Sequence, residues 1–248
     1  MMPLAQITHA DTTIYWLCED ESAATNPALL SPAEAAAYAA LRAGKRRRDW
    51  LLGRRVAKRL VQASMAARLG QTPPLSEITV LSHADGWPQV SLPAALATGP
   101  ITLSISHSHD RALCALVWGN QPLGCDLEFI EPRSAGFVAD YFTAAERQYL
   151  AAATPADHPT LANAIWSGKE AALKAIRRGL AEDTRLVSCL PGEAADADGW
   201  RSLRYRWEEP ARALPPLTGW WRAQNGFVMT LAAGRHASGA TSNCAGHD

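Results

Sequence analysis

The sequence predicts an α+β fold, on three observations. Short runs rich in branched and aromatic residues alternate at the two-residue period of strands, among them Leu123 to Phe129. Longer runs place apolar residues at helical spacing behind recognisable N-caps. The elements follow the order strand, helices, strands, and then repeat it, which predicts two α+β halves joined near Asn120. Residues 1–120 are the expected N-terminal half and 121–233 the C-terminal half; the polar, Gly- and Ser-containing tail 234–248 is expected to be disordered.

Along the chain, Ile14-Tyr15-Trp16-Leu17 reads as a short strand. Ser31-Pro32-Ala33-Glu34 is a helix start, with a serine cap, proline at the first position and an acid in the first turn. Asp49 to Ala67 follows as a helix carrying Leu52, Val56, Leu60 and Met65 near helical spacing, closed by Gly70 and Pro73-Pro74. Ile78 to Leu81 and Pro88 to Ser91 flank Asp85-Gly86, a hairpin turn signal. Ile101 to Ser106, Ala112 to Trp118 and Leu123 to Phe129 are further strands. Thr143 with Glu146 three residues on is a capping box, and Thr160 to Arg178 is a long helix.

The 248 residues are 48% hydrophobic and 19% charged with no net formal charge, which gives no bulk support for nucleic-acid or membrane-surface binding. One local basic cluster stands out: Lys45 to Arg48, then Arg54, Arg55, Lys58 and Arg59. The N-terminus lacks a basic stretch followed by an apolar core, and Ala112 to Trp118 is far shorter than the about 20 apolar residues that span a bilayer. The five cysteines form no C-x-x-C pair, so reduced thiols and a cytoplasmic setting are expected.

Three segments carry candidate chemistry. On a strand, Asp126 and Glu128 share one face while Cys125 and Leu127 take the other. Two such carboxylates are either ordinary surface acids or a pair that needs a hard cation such as magnesium between them. On the long helix, Leu161, Ile165, Gly168, Ala172 and Ile176 form an apolar stripe, with Glu170 and Lys174 one turn apart on the opposite side. They are either a solvated pair of about 0.3–0.5 kcal/mol, or a metal ligand or base beside a phosphate-neutralising lysine. Ser104-Ile105-Ser106-His107-Ser108-His109 ends a strand, where hydroxyls and imidazoles can grip a phosphate, hold a metal, or do neither.

Taken in order, Ser106-His107-Ser108, Gly124-Cys125-Asp126-Leu127-Glu128, Phe142-Thr143-Ala144-Ala145-Glu146 and Trp166-Ser167-Gly168-Lys169-Glu170-Ala171-Ala172-Leu173-Lys174 resemble the Sfp-type 4′-phosphopantetheinyl transferases. The resemblance is good from about Ile101 to Leu180 and loose before that. It implies a monomeric pseudo-dimer of two similar α+β halves with coenzyme A in the cleft between them. It further implies that Asp126, Glu128 and Glu170 hold Mg2+ against the coenzyme A diphosphate, that Glu170 takes the proton of a carrier-protein serine, and that Lys174 stabilises the transferring phosphate. His107, with Ser106 beside it, would contact the 3′-phosphate, and 3′,5′-ADP would leave. Glu146 matches a further acid of the family.

The sequence departs from the family where a Gly-Lys-Pro hairpin lysine is expected, since Asp85-Gly86-Trp87-Pro88 stands there. Trp87 either stacks on the adenine or packs the hairpin. Lys45, Arg48 and Arg54 either replace the missing cations as a phosphate grip or form a solvated helix face. Lys169, close to the apolar stripe, either reaches the coenzyme A phosphates or snorkels to solvent. Aromatic residues between Phe137 and Phe142 are either a docking surface for the apo carrier protein or core. The alternatives to transfer are another magnesium-dependent phosphotransferase or hydrolase acting on coenzyme A, and a non-catalytic module that binds coenzyme A or a carrier.

Overall fold

In the computed structural model, residues 4–9, 12–21, 26–42, 44–96, 99–178, 182–209 and 213–234 are described. The tail beyond Gly234, with Cys244, lies outside the described residues. Among these the chain is α+β, with five helices and three sheets. β1 (Gln6–His9) and β2 (Thr12–Asp20) pair antiparallel, then come α1 (Pro32–Ala39) and α2 (Gly44–Leu69). β3 (Thr79–Ser82) and β4 (Pro88–Ser91) form a separate hairpin. Its turn holds Gly86 at φ 93°, a conformation open to glycine and strained for other residues. β5 (Ile101–Ser108) and β6 (Arg111–Trp118) join the first two strands in a sheet of order β1-β2-β6-β5.

The second half opens with β7 (Leu123–Phe129), followed by α3 (Ala135–Tyr141), α4 (Ala144–Ala151) and α5 (His158–Ala175). β8 (Val187–Ala195), β9 (Arg201–Trp207), β10 (Leu217–Gln224) and β11 (Phe227–Gly234) complete a five-stranded sheet of order β7-β11-β10-β9-β8. The strand period decides how these layers stack. On β6, Leu113, Ala115 and Val117 face one way, into a core shared with Leu123, Cys125 and Leu127 of β7 and Met229 and Leu231 of β11. Ala112, Cys114 and Leu116 face the other way, onto Leu52, Val56, Leu60 and Met65 of α2. α5 covers the far face of the second sheet through Ala164, Ala171 and Ala175. α2, the first sheet, the second sheet and α5 thus stack in that order. Each fully buried leucine in this core contributes about 1.5–3 kcal/mol.

α2 starts five residues before the expected Asp49. Its first turn is basic and exposed, so no apolar period marks it; the turn is supported by Lys45 on Asp49 at 2.8 Å, an i,i+4 pair.

One polar device occurs twice. Ser31 caps α1 and Glu34 closes the capping box; Thr143 and Glu146 do the same for α4. Each glutamate is fully buried and paired with an equally buried lysine on the long helix that follows, Glu34 with Lys58 and Glu146 with Lys169. Each also accepts a strand N–H, from Val80 at 2.9 Å and from Cys189 at 2.7 Å. The lysines in turn donate to backbone carbonyls, Lys58 to Leu29 at 2.7 Å and Lys169 to Val187 at 2.9 Å. A buried ion pair is tolerable only when the remaining donors and acceptors are satisfied in this way.

Candidate active site

A cavity of about 1040 Å³ opens between α2, the β3–β4 hairpin, β5 and the C-terminal part of α5. Lys45, Arg46 and Arg54 line it from α2, Lys174 from α5, and Arg177 and Arg178 from just beyond α5. Among the described residues the acids on its wall are Asp49, Asp85 and Glu170, so the wall is basic on balance and suits a polyanion.

Close approach of backbone to backbone builds the floor. A side chain at Gly124 would put its Cβ 1.9 Å from the Ala171 carbonyl oxygen, so only glycine lets α5 lie this near β7. That contact brings Glu170 and Lys174 over Asp126. On the other side, the Ser104 hydroxyl accepts the Cys125 N–H at 2.9 Å, tying β5 to β7. Ser106 donates to Asp126 Oδ1 at 2.7 Å, and Lys174 Nζ donates to the same oxygen at 2.7 Å and to Ser106 at 3.1 Å. Lys174 therefore bonds across to β7 rather than back along its own helix to Glu170.

Two carboxylate oxygens in this floor are buried with no hydrogen-bond partner, Asp126 Oδ2 and Glu170 Oε1. Such atoms are costly unless something occupies them. Burial, with Asp126 and Glu128 nearby and Lys174 only partly compensating, pushes the Glu170 carboxyl up to about 7. Burial alone would lower the Lys174 ammonium, but Asp126, Cys125 and Glu170 outweigh it and raise it, so the lysine stays charged.

Glu128 is placed differently. Its two oxygens accept Trp166 Nε1 at 2.9 Å and Arg133 at 3.0 Å, and Arg133 is braced by Asn163 at 2.9 Å. Burial and Asp126 raise its carboxyl above the usual range. Among the described residues no three His, Cys, Asp or Glu side chains group closely enough to hold a metal by themselves. The residues nonetheless fit magnesium in its usual protein environment, one or two carboxylates plus substrate phosphates, with Asp126 and Glu170 offering the free oxygens.

Ser106 and His107 stand where β5 meets the cavity, His107 exposed to it. His109 sits in the following turn, its ring tilted against Phe129 at 4.6 Å, and does not line the cavity. Arg54 is buried over the Trp50 ring at 4.4 Å, its charge disfavoured by burial and partly restored by Glu34.

Two expected ligand contacts are corrected. Lys169 does not reach the cavity: it is fully buried and spends its ammonium on both Glu146 oxygens and the Val187 carbonyl. Burial pulls its ammonium down while Glu146 holds it up. Arg48 also lies off the cavity wall, toward Glu21 at 3.9 Å, and the cations that line the cavity from that turn are Lys45 and Arg46. Arg46, Trp50 and Arg54 recur at i, i+4 and i+8, a spacing that identifies one face once the helix is known to start at Gly44. Of the aromatic residues after Phe137, Phe142 is core and Tyr141 is exposed at 42%.

An α+β frame that seats Lys174, Asp126 and Glu170 beside a basic cavity offers cationic and carboxylate groups suited to a phosphate-bearing ligand. The comparisons point the same way: residues 122–203 match the family model of the 4′-phosphopantetheinyl transferase superfamily. The match runs from β7 into β9 and contains Asp126, Glu128, Glu170 and Lys174; it supports phosphopantetheine transfer as the general chemistry. No curated protein matches the chain. Among the described residues no helix is long and apolar enough to cross a membrane.

Proposed function

We propose that this chain moves the 4′-phosphopantetheine group of coenzyme A onto a serine of an apo acyl or peptidyl carrier protein, releasing 3′,5′-ADP, with Mg2+ as cofactor. The observation that carries the proposal is that Ser106, Glu170 and Lys174 line a basic cavity with Asp126 bonded to Ser106 and Lys174 behind them, and that Asp126, Glu170 and Lys174 lie in the segment matched to the superfamily. In this reading the two halves, 1–120 and 121–233, share the substrate between them.

When bound, Mg2+ would supply charge neutralisation on the diphosphate, held by Asp126 and Glu170. Glu128, fixed by Trp166 and Arg133, adds negative charge beside them. Lys174, kept charged by Asp126, faces the phosphate that is transferred. Glu170, on the cavity wall one turn from Lys174, is the carboxylate placed to accept the serine proton. The serine oxygen attacks the phosphorus nearer the pantetheine, and the bond to the departing nucleotide phosphate breaks. Ser106 and Lys174 orient Asp126, and His107 with Arg46 and Arg54 supplies cavity-wall contacts for the nucleotide phosphates.

Mass spectrometry of apo carrier proteins incubated with the chain, coenzyme A and Mg2+ tests the proposal. A gain of one phosphopantetheine group on the carrier is expected. Absence of that gain across fatty-acid, polyketide and peptide carriers, with free phosphopantetheine released instead, would establish a hydrolase.

A further inference from the structure

One wall of the cavity plays no part in the chemistry above. The β3–β4 hairpin presents Trp87 there, and the residue that ends the α5 turn, Arg177, lays its guanidinium 3.9 Å from the Trp87 ring centre. His83 stacks on the same tryptophan at 4.4 Å and 17°, so the ring already has two planar partners from this chain. That removes the stacking of adenine on Trp87 as its simplest role.

Arg177 occupies an unusual backbone position. Its N–H bonds to the Lys174 carbonyl at 3.0 Å and the next N–H to Leu173 at 3.0 Å, closing the helix with Arg177 at φ 58°. Glycine is the default residue at such a left-handed helix end. An arginine there gives up backbone comfort, and the side chain it gains lines the cavity. It has no carboxylate partner among the described residues. Stacking engages the face of a guanidinium and leaves its N–H edge free, which is the edge that binds phosphate in a fork.

We propose that Arg177 is a phosphate-binding residue of the substrate cavity and that Trp87 is the residue that positions it. The proposal rests on the coenzyme A reading and names the cation that stands in for the absent hairpin lysine. The phosphate is either the 3′-monoester or the diphosphate, and two ligands separate them.

Calorimetric titration of coenzyme A and of dephospho-coenzyme A is run on the wild type, Arg177→Gly, Trp87→Leu and the double variant, with a melting curve for each. Arg177→Gly relieves the backbone, so its melting temperature is expected to equal or exceed the wild type, while coenzyme A binds roughly tenfold more weakly. Loss for coenzyme A alone assigns the contact to the 3′-phosphate; equal loss for both ligands assigns it to the diphosphate. Trp87→Leu is expected to reproduce part of the loss, and Arg177→Gly added to it to cost less than alone. Affinities of Arg177→Gly within twofold of the wild type for both ligands overturn the proposal. A wild type that binds neither ligand would overturn the coenzyme A reading itself, and this assignment with it.

Discussion

Gly124→Ala tests whether the site depends on how closely α5 lies on β7. The added methyl would sit 1.9 Å from the Ala171 carbonyl oxygen and 2.8 Å from both the Ala171 carbonyl carbon and the Ala175 nitrogen, all backbone atoms that cannot rotate away. Real Cβ contacts essentially never fall under 3.0 Å, so the helix must retreat by at least about 1.1 Å along that contact. Glu170 and Lys174 flank Ala171 on the retreating segment and would move with it, and the 2.7 Å bond from Lys174 to Asp126 would open. Overpacking of this kind costs about 1–3 kcal/mol of stability, and a 1 Å misplacement of reacting groups can cost about a hundredfold in rate. Urea denaturation and carrier-modification kinetics on the same preparation measure both. A folded Gly124→Ala protein that modifies the carrier within twofold of the wild-type rate would refute the idea that this approach sets the geometry.

Glu170 gives a pH dependence. Its folded-state carboxyl, near 7, lies above the ordinary 4.5, so the folded protein holds the proton more tightly than the unfolded chain. The resulting stability is fully present below about pH 4.5 and is lost as pH rises through 7, by at most about 3 kcal/mol in metal-free protein. Melting temperature should therefore fall from pH 5 to pH 8 in the wild type more than in Glu170→Gln, with Mg2+ raising it most at pH 8; identical slopes in the two proteins would contradict this. Lys169→Ala leaves Glu146 buried without its cation and should cost about 3–5 kcal/mol in urea denaturation, while the protein that remains folded binds coenzyme A as the wild type does. Asp126→Asn keeps the shape of the side chain but removes the charge that faces Lys174, and should lower carrier modification by at least about a hundredfold with the fold retained by circular dichroism. Arg48→Ala should leave the coenzyme A dissociation constant unchanged, whereas Arg46→Ala should raise it, as titration calorimetry would read.

Much of this molecule is written in local pattern. The two-residue period of Leu123 to Phe129 places Cys125 and Leu127 in the core and Asp126 and Glu128 on the α5 side, because a strand has only two faces. Ser31 with Glu34 and Thr143 with Glu146 locate two helix starts, because a capping box uses bonds within four residues. Asp85-Gly86 locates the hairpin for the same local reason. Period and caps therefore determine the α+β class and most element positions, while it is the family resemblance that groups Asp126, Glu170 and Lys174 as one expected site.

Which neighbour each face meets is decided only in three dimensions. Lys169 and Lys174 sit five residues apart on one helix, about 140° around its axis, and nothing in their spacing says which meets Glu146 and which meets Asp126. The answer comes from β7 and β8 packing on different sides of α5, a contact between segments far apart in the chain. The same holds for Arg46 over Arg48, for Arg177 on Trp87, and for Glu128, whose oxygens are claimed by Trp166 and Arg133. Short-range rules fix the direction of a side chain relative to its own backbone; the group it finally touches depends on long-range packing, set here by the missing side chain of Gly124.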